Sequence, residues 1–194
     1  MPDPAQMYQS LEQEIITFIQ RTDPQPSGDE FDTLARRVFA YQFENNTPYQ
    51  NYCRSLGIDT PADLTQWTDI PAIPTEAFKT LAFPIATFPV ENAAVRFETS
   101  GTTSDQAYPG HHHFFTTTLY ETSIIEAWKQ LNLPRLKPAF LIPSPDDSPH
   151  SSLSHMMGVL TRFLGAPDEA FLIGTSGTIN YDALARFANQ NEPR

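Results

Sequence analysis

Apolar residues recur at helical spacing through the first third of the chain. The pattern predicts an amphipathic helix over residues 6–20 and a second one that ends near Phe43. A shorter helix is expected over residues 49–56, and Thr60-Pro61 has the form of another helix start. We therefore predict that residues 1–65 form a helical N-terminal region.

The pattern changes after Trp67, where extended and helical segments begin to alternate. Residues 93–99 alternate apolar and polar side chains as a strand does, and residues 100–110 are polar and rich in turn formers. Further strands are predicted at residues 138–142 and 170–173, and further helices at residues 116–131, 151–164 and 181–188. Strands that alternate with helices predict a parallel or mixed sheet covered by helices. The expected fold is α/β, with residues 66–194 as its α/β domain.

Composition limits the classes of partner and the compartment. The chain has 12 Lys and Arg against 23 Asp and Glu, a formal charge of −11, so it lacks the basic surface that nucleic-acid binding needs. No stretch of about 18 apolar residues occurs, so no membrane span is predicted. The first residues lack the basic and apolar regions of a signal peptide, and the lone cysteine, Cys53, cannot form an internal disulfide. We expect a soluble, cytoplasmic protein.

Residues 99–104 carry the most informative chemistry of the chain. They read TSGTTS, which places five hydroxyl side chains and one glycine directly after a predicted strand. Glycine lets the backbone approach a ligand closely, and successive N–H groups with hydroxyls form a cradle for phosphate oxygens. The lysine and the spacing of a Walker A loop are absent. From the residues alone, a phosphate-binding loop and an ordinary Ser/Thr-rich turn both remain open.

Three motifs, in chain order, resemble those of one enzyme family. The TSGTT stretch at residues 99–103 resembles the phosphate-binding signature of the adenylate-forming, acyl-activating enzymes. Residues 67–79 and 148–157 resemble segments of the LuxE-type long-chain acyl-protein synthetases, the ATP-dependent component of bacterial fatty-acid reductase in luminescence. The resemblance runs through most of residues 40–190.

This resemblance implies a two-step reaction that uses ATP, Mg²⁺ and a fatty acid. The carboxylate attacks the α-phosphate of ATP, and the acyl group of the adenylate then passes to a thiol of the enzyme or of a partner protein. No catalytic residue is assigned. Ser104 stands where the signature has glycine, and no lysine follows, so another cation or Mg²⁺ has to balance the phosphate charge. The implied phosphate-binding residues are Thr99, Ser100, Gly101, Thr102, Thr103 and Ser104, with direct hydroxyl contacts from Ser100, Thr102 and Thr103.

The resemblance also sets expectations about the extent of the domain. The adenine-binding segment, the ribose-binding acidic residue and the small C-terminal lid of the family are not found, so residues 66–194 are expected to form a partial adenylate-forming N-domain. The expected partners are a fatty acid and either an acyl-accepting protein or a chain that supplies the missing part. Two alternatives remain open: a non-catalytic, partner-binding homologue, and an aryl-acid activator similar to the phenylacetate–CoA ligases.

Several further polar residues are candidates for contacts to nucleotide or substrate. His111 and His113 occupy alternate positions after the loop, so in a strand they share one face, although a solvated or hydrogen-bonded run is the alternative. No cysteine or acidic residue has zinc-like spacing to them, so no metal site is predicted. Ser151 and Ser152 open a predicted helix, where they either cap it or face a substrate carboxylate. Lys79 is either an active-site cation or the end of a surface helix.

Overall fold

A computed structural model of the chain describes residues 4–21, 28–80, 83–99, 109–133, 137–166 and 170–190. The chain divides into two compact units, residues 1–119 and residues 120–194. Over the described ranges the fold is mixed α/β, rich in helix and with a small antiparallel sheet. No helix in these ranges is both long and apolar enough to cross a membrane. The boundary that we predict near residue 65, between a helical region and an α/β domain, stays a prediction.

Helices α1 (Pro4–Ile19), α2 (Gly28–Asn45) and α3 (Thr47–Ser55) open the first unit and confirm the helices predicted there. α3 begins where the side-chain oxygen of Asn46 accepts a hydrogen bond from the Tyr49 N–H at 3.3 Å. Its last turn is followed by Gly57, whose φ of +82° is a left-handed conformation that glycine adopts without strain. Local capping therefore fixes both ends of this short helix.

Aromatic side chains of α2 and α3 build the core of the first unit. The Phe39 ring meets the Tyr49 ring edge to face, with the centroids 6.0 Å apart. Tyr49 Oη donates a hydrogen bond to the Pro71 carbonyl at 2.8 Å, so the phenol is satisfied without opening the core. This bond also ties the helices to the extended segment that follows them. The buried cluster consists of Phe39, Phe43, Tyr49, Cys53 and Leu64.

The helix predicted to start at Thr60 is reduced to a single 3₁₀ turn, Pro61–Asp63. The Asp63 carboxylate accepts hydrogen bonds from the N–H groups of Thr60 at 2.8 Å and Asp59 at 2.9 Å, and these bonds lower the pKa of Asp63. The turn ends because Leu64 becomes extended and buries its side chain in the core. The elements that follow in the first unit are a 3₁₀ turn at Trp67–Asp69, α4 (Ala77–Thr80) and a 3₁₀ turn at Val90–Asn92.

Strands β1 (Val95–Glu98) and β2 (His111–Phe114) pair as an antiparallel hairpin. The register places Glu98 opposite His111 and Arg96 opposite His113. The strand predicted over residues 93–99 is confirmed in its central part. Phe97, on the other face, is buried and faces the Phe114 ring at 5.2 Å between centroids.

The second unit is built on α5 (Thr118–Gln130, which begins in the first unit), α6 (Ser152–Leu164) and α7 (Tyr181–Gln190). α6 begins directly after its N-cap residue Ser151, where the helix start is predicted. It ends at Gly165, where a φ of +64° terminates the helix in a left-handed cap. Ile124, Val159 and Leu160 form the buried cluster that joins α5 to α6.

The sheet predicted from residues 138–142 and 170–173 is present only as isolated bridges. Phe140 pairs with Phe171 in parallel, and the Phe140 N–H donates to the Ala170 carbonyl at 2.7 Å. Prolines lie on both sides of Phe140, and since proline has no N–H and restricts the residue before it, the pairing does not extend. The α/β class is confirmed at this coarse level. The larger parallel or mixed sheet is not formed in the part of the chain that the structure describes.

Candidate functional site

The two ends of the candidate phosphate-binding loop meet at the end of the β1–β2 hairpin. The Thr99 N–H donates to the Gly110 carbonyl at 2.9 Å, and the Gly110 N–H donates to Thr99 Oγ1 at 2.8 Å. These bonds extend the pairing of the two strands by one residue. The role predicted for the rest of the loop stays a prediction, because the following residues lie outside the described ranges: Ser100, Gly101, Thr102, Thr103 and Ser104.

One face of the hairpin carries Arg96, Glu98, His111 and His113, as the register requires. Arg96 Nη2 lies 3.0 Å from Glu98 Oε1, which is a salt bridge along one strand. The His111 and His113 rings are 6.2 Å apart between centroids. The prediction that the alternate histidines share a face is therefore confirmed, and their predicted contact with nucleotide or substrate stays a prediction.

His111 presents a buried ring nitrogen at the base of the loop. Its Nδ1 is shielded from solvent although the side chain as a whole is 41% exposed, and it has no hydrogen-bond partner among the described residues. Glu98 Oε1, at 3.8 Å, is too distant for a hydrogen bond. Buried polar atoms are normally paired, so this nitrogen is an exception among the described residues.

The opposite face of the hairpin packs on α4. The Phe78 ring lies 4.4 Å from the His112 ring between centroids, at an angle of 36°. Burial lowers the pKa of His112, and the neighbouring His111 lowers it further. The lowered pKa favours the neutral imidazole, and the ring acts as an aromatic packing group against Phe78.

Lys79 lies against the second end of the loop. A Cβ atom at Gly110 would lie 3.1 Å from Lys79 Cγ and 3.2 Å from the Phe78 carbonyl oxygen, so glycine permits this close approach. The Lys79 ammonium is three bonds beyond that Cγ atom. An active-site cation is one of the two interpretations predicted for Lys79, but nothing in the sequence indicates its contact with Gly110, because α4 and β2 are distant in the sequence.

The hairpin histidines predict a loss of stability in mild acid. Burial lowers the pKa of His112 and of His113, and for His113 the positive groups of His111 and Arg96 add to the effect. As the pH falls below the unfolded-state pKa of about 6.5, the unfolded chain takes up protons first, so stability decreases until the lower pKa of the folded state is passed. We expect the melting temperature to fall between about pH 7 and pH 5, and His112→Phe to reduce that slope.

Melting curves at several pH values test this expectation, with His150→Gln as the matched control because His150 is exposed. Equal slopes for the wild type and His112→Phe would contradict it. Hydrogen bonds from backbone N–H groups also lower the pKa values of Asp63 and Asp32, and a lowered carboxyl pKa lies below this window.

Ser151 and Ser152 belong to the second unit. Ser151 Oγ accepts a hydrogen bond from the Ser154 N–H at 3.1 Å, which confirms the capping interpretation for Ser151. Ser152 is exposed, and its carbonyl accepts a hydrogen bond from Tyr120 Oη at 3.1 Å. Their predicted contact with a substrate carboxylate stays a prediction.

A histidine–carboxylate pair that the sequence analysis missed lies in the same unit. His155 Nε2 is 3.1 Å from Glu121 Oε1, and the Tyr120 ring stacks on the imidazole at 5.9 Å between centroids. The pair joins α5 to α6, and no local spacing in the sequence indicates it. Within the described ranges, no group of three or more His, Cys, Asp or Glu side chains is placed to hold a metal ion.

Cys53 does not have the properties of an acyl acceptor. Its side chain is completely buried in the core of the first unit. That burial raises the pKa of the Cys53 thiol. Since the thiolate is the nucleophilic form, a buried thiol with a raised pKa is inert.

Comparisons with family models, curated proteins and solved structures gave no match to this chain. The functional interpretation therefore depends on the motifs and on the geometry around the loop.

Proposed function

We propose that the chain is an ATP-dependent acyl-activating protein similar to the long-chain acyl-protein synthetases. It would convert a long-chain fatty acid into an acyl-adenylate whose acyl group passes to a protein thiol. The observation that carries this proposal is the pair of hydrogen bonds between Thr99 and Gly110, which brings both ends of the Ser/Thr/Gly-rich loop together. A short loop anchored at both ends is suited to direct several N–H groups and hydroxyls at one phosphate group.

Lys79 supports the proposal because it supplies a positive charge beside this loop. The loop has no lysine of its own, and the chain carries a net charge of −11, so a polyanionic ligand needs a local cation. An ammonium group binds phosphate as a point charge. Hydroxyl and carboxylate oxygens also suit Mg²⁺, which commonly stays bound through substrate phosphates and only one or two protein oxygens. Glu98, at the base of the loop, is such a carboxylate, and it would exchange its salt bridge with Arg96 for the ion.

The reaction that we propose has two balanced steps. A carboxylate oxygen of the acid forms a bond to the α-phosphorus of ATP while the bond to the bridging oxygen breaks and pyrophosphate leaves. A thiolate, whose proton has passed to solvent, then attacks the acyl carbonyl and AMP leaves. The loop hydroxyls and Lys79 act by positioning and by charge stabilisation, as is usual for transfer at phosphorus.

The proposal also requires an acceptor thiol on another protein. Cys53 is the one cysteine of the sequence, and it is enclosed in the core of the first unit. The acceptor thiol would therefore belong to an acyl-accepting protein or to a chain that completes the enzyme. ATP and reduced thiols are both available in the cytoplasm, which is the compartment we propose.

Exchange of labelled pyrophosphate into ATP tests the proposal directly. We expect exchange that depends on Mg²⁺ and on long-chain acids, and saturable Mg·ATP binding by the purified chain. The Ser100→Ala, Thr102→Ala double variant should bind Mg·ATP at least about tenfold more weakly, because a hydrogen bond to a charged group contributes about 1.5–3 kcal/mol. The matched control is Ser176→Ala, Thr178→Ala, which changes a similar TSGT stretch in the second unit, where these two hydroxyls lie 2.7 Å apart.

The possible results separate the alternatives. Equal Mg·ATP binding by the wild type and the loop variant would overturn the site. Mg·ATP binding without exchange would favour the non-catalytic, partner-binding homologue. Exchange with aryl acids only would instead favour the aryl-acid activator.

A further inference from the structure

The first unit contains a large apolar cavity, open to solvent on one side, between α1, α2, residues 70–78 and Ile85. Its volume is about 750 Å³, which lies within the range of about 300–1,000 Å³ of small-molecule sites. Its walls are mainly aliphatic and aromatic. They include Ile15 and Ile19 of α1, Ala35 and Val38 of α2, and Ile73 and Phe78 of the third segment.

The polar side chains in the wall of this cavity are Gln42, Asn46 and Tyr49, and each already has a partner in the protein. Tyr49 Oη donates to the Pro71 carbonyl at 2.8 Å, Asn46 Oδ1 accepts from the Tyr49 N–H at 3.3 Å, and Gln42 Oε1 accepts from Asn46 Nδ2 at 3.5 Å. Among the described lining residues, none carries a charge. A polar ligand would leave its own groups unpaired here, whereas a hydrocarbon chain would not.

Phe78 connects this cavity to the hairpin. It contributes to the cavity wall, and its ring packs on His112 of β2. The next residue, Lys79, contacts Gly110 at the base of the candidate phosphate-binding loop. One end of the cavity is therefore adjacent to the place where a phosphate ligand would be held.

We propose that the cavity holds the hydrocarbon chain of a long-chain carboxylic acid, with the carboxylate directed past Phe78 toward Lys79 and the loop. The direction of the carboxylate rests on the proposed function. The cavity would be the part of the protein that selects the substrate by its length. The uncharged wall excludes the ionised carboxylate from the cavity interior, so the carboxylate stays at the Lys79 end.

Calorimetric titration of the full chain with saturated carboxylic acids, without ATP, tests this proposal. We expect affinity to rise roughly three- to fourfold for each methylene added between about 8 carbons and the length that fills the cavity, and then to level off. Ala35→Phe places a ring in the cavity and should weaken binding of the longest acids at least about tenfold. The matched control is Ala40→Phe, since Ala40 is also half-buried on α2 but does not line the cavity.

Unchanged acid binding by a folded Ala35→Phe variant would overturn the proposal. If that variant does not fold by circular dichroism, Ile19→Ala serves instead: it enlarges the cavity and should shift the preference toward longer chains, and no shift would overturn the proposal. Sedimentation of the same variants tests whether a second copy of the protein, and not an acid, occupies the cavity. Loss of self-association with unchanged acid binding would identify the cavity as an interface between two copies and overturn the proposal.

A different result would contradict the proposed function. Acid binding that depends on chain length, without pyrophosphate exchange, would support hydrocarbon binding in the cavity and contradict acyl activation. Pyrophosphate exchange that requires long-chain acids, with the same KM for the acid in the wild type and in Ala35→Phe, would support acyl activation and contradict hydrocarbon binding in the cavity.

Discussion

Replacement of Lys79 by methionine is expected to weaken Mg·ATP binding by about 10- to 150-fold, the equivalent of the 1.5–3 kcal/mol of one hydrogen bond to a charged group. Methionine keeps an apolar stem that can pack on Gly110, so the thermal stability should stay close to that of the wild type. The loss of Mg·ATP affinity therefore measures the contribution of the ammonium group and not that of the packing on Gly110. Titration with Mg·ATP, together with melting curves of both proteins, measures the two effects separately.

Two further variants make this prediction specific. Lys129→Met removes a lysine that pairs with Glu126 at 2.7 Å on the exposed side of α5, and Mg·ATP binding should not change. Lys79→Arg keeps the charge and should recover part of the lost affinity. Wild-type affinity in Lys79→Met, or a loss in Lys79→Arg as large as in Lys79→Met, would mean that Lys79 does not contact the nucleotide.

Lys79 also marks the limit of what the sequence could predict about the site. Period-two alternation was sufficient to place His111 and His113 on one face, and it could equally have placed Arg96 and Glu98 there, because all of these depend on strand geometry alone. The contact between Lys79 and Gly110 joins segments that are distant in the sequence. Neither residue type nor spacing indicates which lysine approaches the loop.

The fold shows the same division between local and distant interactions. Ser151 and Gly165 bound α6 as predicted, since caps are made within one turn of the helix. The strands predicted around Phe140 and Phe171 carry suitable apolar residues, yet they form only a bridge. Strand formation depends on a partner with free N–H groups over several residues, and prolines interrupt that partner here. The sequence pattern also does not predict the apolar cavity, because the apolar face of an amphipathic helix indicates burial but not the space left between helices.

The last prediction concerns the aromatic core of the first unit, from which Phe39 and Tyr49 line the cavity. Phe43→Ala should destabilise the first unit by about 3–5 kcal/mol, because Phe43 is only 3% exposed and its removal leaves a void among packed side chains. Phe83→Ala is the matched control: Phe83 is 74% exposed, so its truncation should cost less than about 0.5 kcal/mol. Phe43 does not line the apolar cavity, so the change tests the core without altering the wall of the proposed chain site.

Urea unfolding measures this difference if the signal comes from the first unit alone. The chain has two tryptophans, Trp67 in the first unit and Trp128 in the second. In a Trp128→Phe background, Trp67 fluorescence follows the first unit, where its ring packs on Phe31 at 5.2 Å between centroids. A loss of 3–5 kcal/mol is a large part of the total of about 5–15 kcal/mol that is typical of domains, so the midpoint should move clearly to lower urea. Equal midpoints for Phe43→Ala and Phe83→Ala would show that α2 and α3 do not pack around Phe43. The position of α2 in the wall of the cavity would then also be contradicted.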